Sequence, residues 1–283
     1  MIRLPGILKL ATILAFDFLG GYALFNDLAI ASAVTAVIAL YAAFGGYIAL
    51  LQDGAIHANK LPAYERDCLF NAKKQLTEDV KRVSSVNISR VKFYLVSGDN
   101  DLQGTAYGAH CVSVSQGTLD NVDAMTLNAV VAHELSHALN LDPEFHRAVL
   151  ATIFLICVAI SIMSTAIALV VFLIFILCSA FRSWIGVIFY KGTRKTVGSI
   201  FKLLQKTIVI VYQTVMSCIS RAAEYRCDLY AANLNPSYGI QLANFLSHAA
   251  PNVQRQYTLT EALYRSHPPT SKRIARLEKY CGR

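Results

Sequence analysis

A run of 32 uncharged residues, Val149–Ala180, constrains this fold more than any other feature. As one helix it would measure about 48 Å at ~1.5 Å per residue, whereas the hydrocarbon core of a bilayer is ~30 Å thick. The run is too long for one upright span and short for two, so a tilted span and a hairpin turning near Ser161–Ser164 both remain open. Because 55% of the chain is hydrophobic and 16% is charged, we expect an integral membrane protein.

Two further apolar blocks, Leu10–Phe25 and Leu28–Leu51, begin the chain. They are separated by Asn26 and Asp27, so they predict a membrane hairpin with a very short loop. Basic residues flank the hairpin but none lies in its loop, so the positive-inside rule places the N-terminus and the chain after residue 52 in the cytoplasm. These flanking residues are Arg3, Lys9, Lys60, Arg66, Lys73 and Lys74.

Asp17 lies inside the first apolar block. Ionisable groups within a membrane are costly and often functional. This carboxylate is therefore either a functional group or one that neighbouring helices or water simply satisfy.

The net charge of +8 comes largely from one stretch of the chain beside the apolar segments. No acidic residue lies between Glu144 and Glu224, whereas eight basic residues do. Basic residues beside apolar spans are typical of contact with anionic lipid headgroups, and no nucleic-acid-binding motif is present, so we expect no nucleic-acid partner. The seven cysteines include no C-x-x-C pair and predict free thiols in a reducing compartment.

The polar segment after the hairpin carries both helical and strand patterns. The pattern predicts helices over Leu61–Val86 and Ala124–Asn140 and strands over Arg90–Val96 and His110–Ser115. Further on, the pattern predicts a long helix that includes Val197–Ser220. It then predicts a loop at Asn233–Gly239 and a last helix within His267–Tyr280. The fold class that follows is mainly α with a small β-sheet (α+β), with membrane-embedded helices.

His133 and His137 are four residues apart on the helix predicted over Ala124–Asn140. At this spacing both imidazoles project from one face and can share a metal ion. Glu134 lies between them, where a carboxylate can take a proton from a zinc-activated water. The motif predicts a zinc hydrolase but lacks the third protein ligand of a catalytic site.

A third histidine does not follow at the metzincin spacing, because Asn140 and Pro143 occupy the required glycine and histidine positions. Glu224 and Asp228 offer the alternative, since they are one helical turn apart and end the polar stripe of the preceding apolar helix. Glu224 would bind zinc, and Asp228 would accept a hydrogen bond from a ligand histidine. A solvated acidic pair on a surface helix is the ordinary explanation of such residues.

A metal shared by His137 and Glu224 also limits membrane topology, since the chain between them must cross the bilayer an even number of times. One tilted span followed by a return through Val197–Ser220 meets this condition, although it places the basic connector outside against the positive-inside bias. A short hairpin within Val149–Ala180 meets the condition as well. The connector residues are Arg182, Lys191, Arg194 and Lys195.

These motifs together resemble the HtpX family of membrane zinc metalloproteases, relatives of Oma-type and CAAX prenyl proteases. The resemblance rests on "AVVAHELSHALN", "EYRCD" and a late "SHPPTSKRIARL" segment, after an N-terminal hydrophobic hairpin. It implies a gluzincin-like catalytic core, one zinc ion per chain and an active site on the cytoplasmic side of the bacterial inner membrane. The family's N-A-F-A-x-G segment appears here as Leu102–Gly108, with Gln103 in place of asparagine.

By the same resemblance, His267 and Arg273 lie near the active site, where they could stabilise an oxyanion. The alternative is that this segment only begins the last helix, since prolines and threonine commonly do so. We also expect an extended substrate to pair with an edge strand at the second predicted strand. That strand consists of Cys111, Val112, Ser113, Val114 and Ser115.

The sequence therefore predicts a membrane-bound zinc endopeptidase that uses Glu134 as general base. Its partners would be the bilayer and polypeptide substrates, and the resemblance implies quality control of membrane or misfolded proteins. The alternatives are a processing protease with one specific substrate and a non-catalytic membrane protein with a structural zinc site. Four segments are expected: a transmembrane hairpin (1–51), a soluble catalytic segment (52–146), a membrane insertion (147–220) and a soluble segment that completes the catalytic domain (221–283).

Overall fold

The computed structural model describes residues 3–180, 184–249, 265 and 267–282; at 178–180 and 184–189 it describes the backbone. These residues form two compact units, one comprising Met1–Val149 with Met216–Arg283 and the other Leu150–Val215. Arg182 and the side chain of Cys178, both part of the predictions above, lie outside the described residues.

Two antiparallel helices begin the chain, as predicted. Helix α1 comprises Leu4–Phe25 and α2 comprises Leu28–Gln52. The two-residue loop suffices because Asn26 adopts a left-handed conformation that ends α1, and the Asp27 carboxylate caps α2 by accepting hydrogen bonds from two backbone N–H groups. Asp17 is buried in α1.

A four-stranded sheet follows the hairpin. Its strands are β1 (Ala55–His57), β2 (Lys92–Val96), β3 (Gly104–Gly108) and β4 (Cys111–Ser115), in the order β1-β2-β4-β3. Strand β4 pairs with β2 in parallel and with β3 in antiparallel orientation. The prediction that β4 is an edge strand is therefore wrong. The short, glycine-flanked β3 escaped the sequence pattern and occupies the edge instead.

Three helices pack with the sheet to form the core. Helix α3 comprises Ala63–Val83, a short α4 comprises Gln116–Asn121, and α5 comprises Ala124–Leu139. Asp123 caps α5 by accepting a hydrogen bond from Thr126 N at 2.7 Å. Most of α5 is buried because α3, the sheet and the helix over Pro236–Ala249 surround it, which holds the histidine-bearing helix in place.

Two long helices carry the membrane insertion. Helix α6 comprises Asp142–Ala180 and α7 comprises Trp184–Leu234. Helix α6 is continuous through Ser161–Ser164, so the hairpin alternative is wrong. The Ser161 hydroxyl donates to the Cys157 carbonyl at 2.9 Å, which lets a polar residue remain within an apolar helix. With α1 and α2, these helices make four that are long and apolar enough to span a membrane.

Within the Leu150–Val215 unit, α6 and α7 run antiparallel. Gln205 of α7 donates to the Ser161 hydroxyl at 2.8 Å, and the rings of Phe175 and Tyr190 stack 4.7 Å apart.

The described residues after α7 include two further helices, α8 (Pro236–Ala249) and α9 (Thr270–Tyr280). The loop predicted over Asn233–Gly239 is reduced to Asn235, because Pro236 begins α8 at the position where a helix tolerates proline. The predicted α+β class with membrane helices is confirmed.

Candidate metal centre

Helix α5 presents its two histidines to a carboxylate carried by α7. His133 Nε2 lies 3.4 Å from Glu224 Oε2, and His137 Nε2 lies 3.5 Å from Glu224 Oε1. One potential ligand atom from each of the three residues lies within 4.8 Å of the others. The structure thus brings together the three side chains that sequence reasoning assigned to one metal.

The chemistry of this donor set fits a catalytic zinc ion, for which two imidazoles and one carboxylate with an open position are an established combination. Each imidazole also has a carboxylate behind it, as metal-binding histidines require for a fixed tautomer. His133 Nδ1 lies 3.0 Å from Asp228 Oδ1, as the sequence suggested. His137 Nδ1 lies 2.9 Å from Asp142 Oδ2, a contact that sequence reasoning missed although Asp142 follows the motif closely.

Arg273 reaches the centre from α9 and is buried there. Its Nε and Nη2 atoms donate to Asp228 at 2.8 and 2.6 Å, while Nη1 lies 2.8 Å from Glu224 Oε2. Burial alone would lower the pKa of Arg273, but the two carboxylates outweigh it and raise that pKa above its usual value. The guanidinium is therefore placed to hold two carboxylates in position rather than to meet an oxyanion.

His267 approaches the same carboxylate from the segment before α9. Its Nδ1 atom lies 3.1 Å from Glu224 Oε1, and its side chain is 66% exposed. The ring thus combines a contact with the centre and access to the adjoining cavity, which it lines.

The protein groups around the two α5 imidazoles favour positive charge. Burial on its own lowers the pKa of His133, but hydrogen bonding and attraction by Asp228 and Glu224 raise it to about 10. For His137, Asp142, Cys227 and Glu224 likewise overcome the effect of burial and raise the pKa well above its usual value. The centre is thus built to stabilise a cation, which suits a metal ion.

A cavity of about 480 Å³ adjoins the centre. Glu134 lines it together with the edge strand β3, and apolar residues form another part of its wall. Gln103, whose role the sequence left unclear, also lines the cavity and donates its side-chain amide to Asp99. The apolar wall includes Leu242, Phe245 and Leu246 of α8.

The strand beside Glu134 is β3 and not the predicted β4. A β-carbon added to Gly104 would lie 2.8 Å from Glu134 Cγ, so the backbone of β3 passes directly against the glutamate. The five residues Cys111–Ser115 are buried inside the sheet, where β4 pairs with β2 on one side and with β3 on the other.

Comparison with known proteins agrees with this geometry. The model of a peptidase family, "Peptidase family M48", matches residues 71–281. This chain belongs to peptidase family M48. The HtpX-like resemblance inferred from the motifs is confirmed, and this M48 chain is a multi-pass membrane protease of a metallopeptidase family.

Two curated proteins show the same relationship. A "Protease HtpX homolog" of Listeria welshimeri is 26% identical over 238 residues, covering 71% of each chain. Another of Limosilactobacillus fermentum is 25% identical over 232 residues, covering 72% of this chain and 71% of its own.

A solved structure, that of S. mikatae Ste24p, shares the fold with a TM-score of 0.53 at 17% sequence identity. The match covers 94% of this chain and 62% of the Ste24p chain, so the present chain spans less than two thirds of that protein.

Proposed function

We propose that this M48 protease is a zinc-dependent endopeptidase with one zinc ion per chain, held by His133, His137 and Glu224. The convergence of both Nε2 atoms on the Glu224 carboxylate, next to a cavity lined by Glu134, is the observation that carries the proposal. When bound there, zinc supplies Lewis-acid activation of water and of the scissile carbonyl.

The chain's own residues supply the remaining chemistry. Glu134 accepts the proton of the attacking water and returns it to the leaving amine, as a general base and then a general acid. Asp228 holds the tautomer of His133, and Arg273 holds Asp228 and Glu224. His267 is placed to hydrogen-bond the substrate carbonyl as negative charge develops on it.

The position of β3 at an edge of the sheet suggests how a substrate binds. An extended polypeptide adds to the edge strand β3, so that main-chain pairing places its scissile bond near Glu134. The apolar wall formed by Leu242, Phe245 and Leu246 accommodates an apolar side chain of the substrate. Because pairing uses the backbone, many sequences can bind, which suits a protease acting on varied proteins.

The position of the ligands supports membrane or misfolded proteins as substrates, and hence a role in quality control. Glu224 lies on α7, one of the helices long and apolar enough to span the bilayer, so the catalytic centre lies near the membrane surface. The basic residues flanking the first hairpin support a cytoplasmic active site, and the bacterial relatives support an inner-membrane location. The proposal includes the division of the chain into a transmembrane hairpin (1–51), a soluble catalytic segment (52–146), a membrane insertion (147–220) and a soluble segment that completes the catalytic domain (221–283).

Replacing Glu134 by glutamine tests the mechanism. Glu134→Gln should retain about one zinc per chain and lose proteolysis of casein or of its own chain, because glutamine cannot accept the proton. Metal analysis and a cleavage assay on the detergent-purified protein measure both properties. Glu278→Gln, which changes an exposed glutamate of α9, serves as the control with unchanged activity. Wild-type cleavage by Glu134→Gln would show that Glu134 is not the general base and would contradict the proposed mechanism.

A further inference from the structure

Asp142, the first residue of α6, is a buried carboxylate that contacts three side chains from three different parts of the chain. Its Oδ2 atom lies 2.9 Å from His137 Nδ1, and its Oδ1 atom accepts a hydrogen bond from Lys9 Nζ at 2.6 Å. Arg226 of α7 also donates to Oδ2. Asp142 thus joins α5, the membrane helix α1 and the helix that carries Glu224.

The surroundings of His137 repeat those of His133. Asp228 lies behind His133 and is held by Arg273, a cation from a distant element. Asp142 lies behind His137 and is held by Lys9, again a cation from a distant element. Each imidazole is therefore backed by a carboxylate whose own position is set by a second contact.

Two other roles for Asp142 agree less well with its contacts. A helix-capping carboxylate accepts hydrogen bonds from backbone N–H groups of the first turn, whereas the hydrogen bonds that the structure gives this carboxylate come from side chains. His137, Asp142 and Cys227 also lie close enough together to hold a second metal. However, Lys9 and Arg226 already bring two positive charges to that carboxylate, which opposes binding of another cation.

Lys9 is held in place by contacts of the residues that precede it in the chain. The backbone N–H of Arg3 donates to the Leu139 carbonyl at 2.9 Å, and the Arg3 guanidinium lies 4.4 Å from the Tyr230 ring. A β-carbon on Gly6 would lie 2.4 Å from the Asn140 carbonyl oxygen, so α1 closely approaches the end of α5. The start of the first membrane helix is thus anchored to the helix that carries both histidines.

We propose that Asp142 is a positioning residue for the second zinc ligand, and that Lys9 makes the first membrane helix part of the support of the metal centre. The proposal rests on the proposed zinc site. The carboxylate accepts the Nδ1 proton of His137, which leaves Nε2 free to face the metal. Lys9 and Arg226 fix the carboxylate at the distance this hydrogen bond requires.

The release of zinc to a chromogenic chelator, from the detergent-purified full chain, tests the proposal without any proteolysis. Asp142→Asn should weaken zinc binding or speed its release by about tenfold or more, the usual effect of losing such a partner. Lys9→Gln should give a smaller change in the same direction, and Lys9→Arg should stay near the wild type. The absorption spectrum of the Co²⁺-substituted protein should shift in Asp142→Asn, because the His137 ring changes its orientation.

Glu144→Gln is the matched control, since Glu144 is a buried carboxylate on the same helix that pairs with Arg147. It should release zinc as the wild type does. Equal acceleration in Glu144→Gln and Asp142→Asn, or wild-type release by Asp142→Asn, would overturn the proposal. If Asp142→Asn does not fold, Lys9→Gln decides, and wild-type release by that variant overturns the proposal.

The number of metal ions bound per chain distinguishes a positioning role for Asp142 from a second metal site. One zinc per chain in both the wild type and Asp142→Asn supports a positioning role. Two metals per chain, falling to one in Asp142→Asn, would overturn it in favour of a second site with Cys227. A wild-type chain that binds no zinc would defeat the proposed function itself, which distinguishes that failure from failure of the Asp142 proposal.

Discussion

At the scale of single residues, Arg273 shows how a buried charge is stabilised by geometry. Its guanidinium contacts Asp228 through two nitrogens and Glu224 through the third. Three groups buried together in this way satisfy one another, but removing one leaves an uncompensated charge in a medium of low dielectric constant. The residue therefore supports the candidate metal centre through the carboxylates that it holds.

We predict that Arg273→Gln lowers the free energy of unfolding by about 3–5 kcal/mol and reduces zinc content. Arg273→Lys should restore little, because an ammonium group cannot span both carboxylates as the planar guanidinium does. Thermal unfolding followed by circular dichroism, together with metal analysis, measures both effects. Lys272→Gln removes an exposed charge from the same helix and is the control. Equal stability of Arg273→Gln and Lys272→Gln would contradict the prediction.

At the scale of elements, β3 lies directly against α5 at Glu134, the residue that we propose as general base. The approach is close because Gly104 has no side chain: a β-carbon there would lie 2.8 Å from Glu134 Cγ and 2.9 Å from Val130 Cγ1. An alanine would therefore displace Glu134 or move the strand away from it.

Gly104→Ala should lower kcat by up to about 100-fold with zinc content unchanged, because a misplacement of about 1 Å is sufficient for such a loss. Steady-state cleavage of a peptide substrate and metal analysis provide the measurement. Gly198→Ala is the comparison, since no atom lies within 4 Å of a β-carbon at Gly198. Unchanged kcat in Gly104→Ala would show that the strand and helix tolerate the extra methyl group.

At the scale of the whole molecule, the membrane hairpin is joined to the catalytic core by specific contacts. A β-carbon at Gly46 of α2 would lie 2.1 Å from the Tyr107 carbonyl oxygen at the end of β3. Arg147 strengthens the same junction by donating to the carbonyls of Ala42 and Tyr107 at 3.0 and 2.9 Å. The membrane helices therefore support the sheet as well as anchoring the chain.

Gly46→Ala should destabilise the protein by about 1–3 kcal/mol or more, because the clash is with backbone that cannot rotate away. A lower Tm of the detergent-purified protein would show it. Gly20→Ala, with no atom within 4 Å of the added carbon, should keep or slightly raise the Tm, since alanine favours a helix over glycine. A Tm of Gly46→Ala equal to that of Gly20→Ala would rule out close packing at this junction.

Much of the candidate centre could be predicted because its signals are local. Helical spacing places His133 and His137 on one face of α5. It likewise places Glu224 and Asp228 on one face of α7, and neither placement depends on the rest of the fold. The strand β3 was missed because its five residues begin and end with glycine and carry little β pattern. The contact of Asp142 with His137 was missed although only five residues separate them, because it depends on the turn between α5 and α6 and on Lys9 and Arg226, which are distant in sequence.

The sequence by itself determined the membrane class, the helix faces and the types of metal donor, because hydropathy, spacing and side-chain chemistry act within one element. Only the tertiary structure decided that β3 and not β4 lies at this edge of the sheet, that α6 continues through Ser161–Ser164, and that Asp142 rather than another carboxylate lies behind His137. The reason is physical: strand order and long-range ion pairs depend on which segments meet once the whole chain has packed.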